Sequence, residues 1–74
     1  MNTSKFESWA RDIQEHAVEN YEHDGWDFIV ETWTLDEIVD EISQFNSFDE
    51  AISRIANIAL ILAAARDEVI AEIF

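Results

Sequence analysis

Gly25-Trp26-Asp27-Phe28-Ile29-Val30-Glu31-Thr32-Trp33-Thr34 is the stretch that decides the fold class, because it carries two periods at once. Trp26, Phe28 and Val30 alternate as in a strand, whereas Trp26, Ile29, Val30 and Trp33 recur as on one side of a helix. A lone strand in a helical monomer would leave its backbone donors and acceptors unpaired. Helix is therefore the favoured reading, with Asp24 as a cap and Asp27 near the positive end of the helix dipole. The alternative is a strand that pairs across a dimer.

Outward from this stretch the signals are helical. Upstream, Ser4 and Glu7 have capping-box spacing, and Phe6, Trp9, Ala10, Ile13 and Ala17 follow at helical intervals. Val18 and Tyr21 widen that stripe, and Gly25 fits as its stop, since glycine takes a positive φ without penalty. Downstream, Thr34-Leu35-Asp36-Glu37 and Ser47-Phe48-Asp49-Glu50 both read S/T-x-x-E. The first opens a short helix with Ile38, Val39 and Ile42 inward and Asn46 as its end. The second opens the longest helix, with Phe45 or Phe48 packing across the junction. From Ile55 to Ala65 that helix is apolar almost all round, as the buried centre of a bundle would be. Ala56, Ala59 and Ala63 leave room there for a close neighbour. The expectation is an all-α single domain over residues 1–74, a small bundle of three to four helices with a central, apolar C-terminal helix.

Composition agrees. The 74 residues are 49% apolar, with one Gly and no Pro, which disfavours a turn-rich all-β fold. Without Cys there is no disulfide, zinc–thiolate or iron–sulfur chemistry, and the sequence calls for no cofactor. A chain this short has a small core, so regular packing or a homodimer through the C-terminal helix is expected to support it. No signal-peptide core follows Met1, and the apolar run of the last helix is too short to span a bilayer, so a cytoplasmic protein is expected.

Charge is the most informative feature. Four basic residues face seventeen acidic ones, for a net charge of −13. Residues 1–11 carry a net +1 and residues 54–74 a net −1, so the whole excess lies in residues 12–53, which hold thirteen acids and no Lys or Arg. Asp12, Asp24, Asp27, Glu31, Asp49 and Glu50 are among them. The pairs Glu15–Glu19, Asp36–Asp40 and Glu37–Glu41 are like charges four residues apart, which costs local helix stability. Self-repulsion of this kind predicts that stability rises with salt. Nucleic acid and anionic membranes should be repelled. A basic protein should not: a duplex presents about one negative charge per 1.7 Å of axis, and carboxylates on adjacent helices approach that density. Glu15, Glu19 and Glu22 on the first helix, with Asp36, Glu37, Asp40 and Glu41 on the third, are the candidate partner-binding residues. Arginines that normally hold phosphate would pair with them bidentately.

Small size and concentrated acidity make the chain resemble phage-encoded inhibitors of bacterial defence, the anti-CRISPR and anti-restriction proteins that act as DNA mimics. The run from Gly25 to Thr34, followed by Asp36-Glu37-Ile38, also resembles small proteins of phages and mobile elements. The resemblance implies a non-enzymatic inhibitor in the host cytoplasm that binds a basic nucleic-acid-binding protein or complex; it defines no functional residues. The alternative is a small helical homodimeric adaptor whose acidic face is merely solvated.

Other chemistry has weaker support. Asn20, Glu22, Asp24, Gly25 and Glu31 fall at the offsets of a degenerate calcium loop, but Asn20 replaces the usual Asp, and Asp27 stands where an apolar residue is normal. The competing reading is a helix end at Gly25 among solvated acids. His16, Glu19 and His23 could share a helix face as metal ligands, or be surface groups in an acidic field. The serines have no Ser-His-Asp context, no Gly-rich phosphate loop exists, and carboxylate pairs are too common to mark acid–base catalysis. Trp9, Trp26, Trp33, Phe6 and Phe28 read as core; Trp26 or Trp33, if exposed, would instead anchor an interface.

Overall fold

A computed structural model describes the backbone of residues 3–73 and the side chains of residues 4–66. It contains α1 (Thr3–Glu19), α2 (Trp26–Thr32), α3 (Leu35–Ile42) and α4 (Phe48–Ile73), with no strand among the described residues. The expected all-α bundle is the observed fold, and the stretch from Trp26 is helical, but the C-terminal helix is not its buried centre: α4 packs by one side and leaves Leu60 and Ile61 exposed. Trp26 and Ile29 are buried and Trp33 packs on the core, whereas Val30 is exposed. Ile29, inward on the helical period alone, is fully buried, whereas Val30, which both periods put inward, is not.

α2 and α3 are separated by Trp33 and Thr34 alone, and each packs on both α1 and α4. Together they form one broken arm of a three-armed bundle. Trp9 meets Phe48 and His16 meets Trp26 edge to face, so α1 runs parallel to α4 and the broken arm runs back between them. Glu41 of α3 lies at Arg54 of α4, and Asp27 of α2 lies further along at Arg66. The molecule measures 50 × 21 × 18 Å.

Every arm contributes to one core. Its largest fully buried side chains are five isoleucines: Ile13 from α1, Ile29 from α2, Ile38 and Ile42 from α3, and Ile55 from α4. Each contributes about 1.5–3 kcal/mol by leaving water. Ala10, Ala17, Ala51 and Ala59 fill the spaces where helix axes come close.

The ends of the helices follow the sequence in some places and depart from it in others. Thr34 forms a full capping box: its Oγ1 accepts from the Glu37 N–H at 3.2 Å, and its own N–H donates to the Glu37 carboxylate at 3.2 Å. Ser47 Oγ accepts from the Glu50 N–H at 3.2 Å. By contrast, α1 already begins at Thr3, which puts Ser4 inside the first turn. α1 ends at Glu19, where the Asn20 side chain donates to the His16 carbonyl at 2.8 Å, well before Gly25. α3 ends at Ile42, because Ser43 and Gln44 side chains take the Asp40 and Glu41 carbonyls; Asn46 lies beyond that end. Val18, 61% exposed, and Tyr21 fall outside the core stripe that they were expected to widen.

Gly25 has the expected left-handed conformation, φ 82°, but for a different reason. It leads directly into α2 as the residue before its first turn, and no side chain caps that helix, Asp24 included. A β-carbon at Gly25 would run into the Ala59 carbonyl of α4. Gly25 therefore marks a close approach of two backbones, and the alanines at 59 and 63 are what permit it.

Candidate protein-binding face

The acidic residues occupy the outward sides of the arms. Glu15 and Glu19 lie on the side of α1 opposite Ile13 and Ala17, and Glu22 follows in the turn; all three are exposed. Asp36 and Asp40 lie on the side of α3 opposite Ile38 and Ile42, and Asp36, Glu37 and Asp40 are exposed. α1 and α3 pack on each other through their core sides, so their acidic sides look outward in different directions. The fold thus presents two acidic patches. Glu19 and Glu22 share a shallow depression with Val18, Tyr21 and His23, and Asp12, Glu15 and Glu19 border a groove floored by Phe48 and Ile52 of α4.

Helix electrostatics account for only some of these positions. Asp36 and Glu37 sit in the first turn of α3, where an anion gains a few tenths of a kcal/mol. Asp40 and Glu41 sit in its last turn and Glu19 in that of α1, where the dipole opposes them.

All four basic residues are exposed, and three of them rest against neighbouring side chains. Arg54 Nε lies 2.8 Å from Glu41 Oε1. Arg66 lies 3.2 Å from Asp27 and 4.9 Å from the Phe28 ring centre. The Lys5 ammonium sits over Phe6 and Trp9, at 4.9 and 5.2 Å. Arg11 is exposed beside an open α1–α2 groove, with no ion pair among the described residues. Asp27 and Glu41 are the two half-buried acids of residues 12–53, and they are the two that receive an arginine; the other eleven are exposed. Glu41 and Glu37 therefore have structural tasks, as an ion-pair partner and as half of a capping box. Glu15, Glu19, Glu22, Asp36 and Asp40 have no such contact among the described residues. The arginine partners could not be read from the sequence, since they lie 13 and 39 residues from their acids.

The other constellations do not assemble. His16 lies edge-on to Trp26, with ring centres 4.8 Å apart, while His23 stands exposed in the turn. In the calcium-loop stretch, Asn20 bonds to the His16 carbonyl, Gly25 is buried against α4, and Glu31 accepts a hydrogen bond from the Tyr21 hydroxyl. No three His, Asp or Glu side chains among the described residues are placed to hold a metal ion. The Glu31 hydrogen bond, followed by slight burial and by the charges of Glu31 and Asp27, pushes the Tyr21 phenol above its ordinary pKa of 10.0. No helix among the described residues is long and apolar enough to cross a membrane.

Comparison with known protein families, with curated protein sequences and with solved structures finds no match to this chain.

Proposed function

We propose that this is a non-enzymatic acidic binding protein that occupies a basic, nucleic-acid-binding surface of another protein. The observation that carries the reading is the uncompensated charge: eleven exposed carboxylates in a stretch without a base, while both arginines of α4 are held at half-buried acids. Such a surface exchanges the mobile counterions of both partners for fixed carboxylate–guanidinium pairs, as a phosphate backbone does. Shape supports the same reading. Acidic patches on two outward sides of the bundle suit a cleft with two basic walls. The resemblance to phage-encoded DNA mimics extends the proposal to a bacterial defence complex as the target.

The test is charge reversal at acids without structural tasks. Immobilised protein is used to capture a nucleic-acid-binding complex from bacterial lysate. Its affinity is then compared for wild type, for Glu15→Lys/Glu19→Lys/Glu22→Lys and for Asp36→Lys/Asp40→Lys. Each triple or double variant is expected to lose roughly 100-fold in affinity with helicity unchanged. Added duplex DNA should displace the wild type, and affinity should fall steeply with salt. Binding that ignores charge reversal and duplex competitor would overturn the reading.

A further inference from the structure

We propose that the outer side of α4 around Ile61 is a self-association surface that pairs two copies of this chain antiparallel, with Ile61 of each copy seated against Ala64 of the other. Three observations converge on it. First, Leu60 and Ile61 are 49% and 65% exposed, and Ala64 and Ala65 beside them are exposed too. Leu60, Ile61 and Ala64 lie away from Ile55 and Ala59, with Ala65 on their flank, so the bundle already described leaves them uncovered. Earlier on the same side stand Ser53, Arg54 and Asn57, and the apolar character begins only at residue 60.

Second, charge selects the occupant. From Ala51 to Arg66 the chain carries Arg54 and Arg66 and no acid, the next acids being Asp67 and Glu68, whereas the molecule as a whole carries −13. Two copies repel each other over most of their surfaces and can approach closely only where carboxylates are absent. A basic partner is drawn to the acidic sides instead. Third, the patch is self-complementary. Large Ile61 and small Ala64 are one helical turn apart, so reversing a second α4 over the first places each isoleucine over the other copy's alanine on both sides of a two-fold axis. A patch of this size makes a weak dimer, formed as concentration rises.

Sedimentation equilibrium of the full chain at low and high salt reads this directly. Screening of the −13 charge should strengthen the dimer, so mass should climb from 8.6 kDa towards twice that as protein and salt increase. That slope is opposite to the one expected for the acidic patches, so the two readings fail separately. Ile61→Glu, at an exposed position, should stay at 8.6 kDa throughout with unchanged circular dichroism. Because the chain has no cysteine, a mixture of Ile61→Cys and Ala64→Cys chains should oxidise to a mixed disulfide faster than Ile61→Cys chains alone. A monomer at millimolar protein in high salt would overturn the proposal. So would a dimer that survives Ile61→Glu or weakens with salt, and equal cross-linking through Ile61→Cys alone would overturn the antiparallel register.

Discussion

The chain from Asp12 to Glu50 and the α4 segment from Ala51 to Arg66 are opposites. The first carries thirteen acids and no base; the second carries two bases and no acid. The first arranges itself conventionally, isoleucine inward and carboxylate outward. The second puts isoleucine on both sides, Ile55 in the core and Ile61 in water. Beyond the shared core, folding joins them at the close backbone approach of Gly25 on Ala59 and at two ion pairs, Arg54–Glu41 and Arg66–Asp27. The difference teaches that charge was not distributed for local helix stability. The pairs that would have stabilised the acidic helices from within are missing, and the two bases that pair with Glu41 and Asp27 come from α4.

Breaking the backbone approach should have the largest effect. Gly25→Ala forces a β-carbon into the Ala59 carbonyl at a positive φ, and is expected to cost about 3 kcal/mol or more. Urea denaturation followed by circular dichroism measures this, and a loss below about 1 kcal/mol would mean that the two regions are not so closely joined. Removing the ion pairs should matter less. Arg54→Ala and Arg66→Ala each sever a contact between partly exposed groups, for at most about 1 kcal/mol apiece and less in high salt.

The smallest effect lies within the acidic region alone. Tyr21 is the only tyrosine, so an alkaline absorbance titration reports on it without interference. Its midpoint should lie above 10.0 and move down in Glu31→Gln. A phenol whose folded pKa is raised favours the neutral form, so its contribution to stability is complete below the unfolded value near 10.0 and vanishes as pH climbs through the folded one. An unshifted midpoint would remove the Tyr21–Glu31 contact.

Much of this fold was legible because it rests on local physics. The boxes at Thr34 and Ser47 need only residues three apart. The inward residues of α1 and α3 follow from period alone. The segment from Trp26 was ambiguous because its apolar residues satisfy both periods, and only burial separates them: Ile29, inward on the helical period alone, is fully buried, while Phe28, inward on the strand period alone, is half-buried. Gly25 was visible as a turn but not as a contact, since Ala59 is 34 residues away. In the candidate face, exposure of the acids was legible. The division into two patches was not, because it depends on which sides of α1 and α3 meet.

The break at Trp33 and Thr34 leaves the middle arm as helices of seven and eight residues. Isolated helices that short do not persist in water, because one or two turns cannot repay the entropy of nucleation. α2 and α3 therefore exist only while α1 and α4 hold them. Their backbone amides should exchange with deuterated solvent at the rate set by opening of the whole bundle, so the middle arm reports the molecule's global unfolding rather than a local fluctuation of its own.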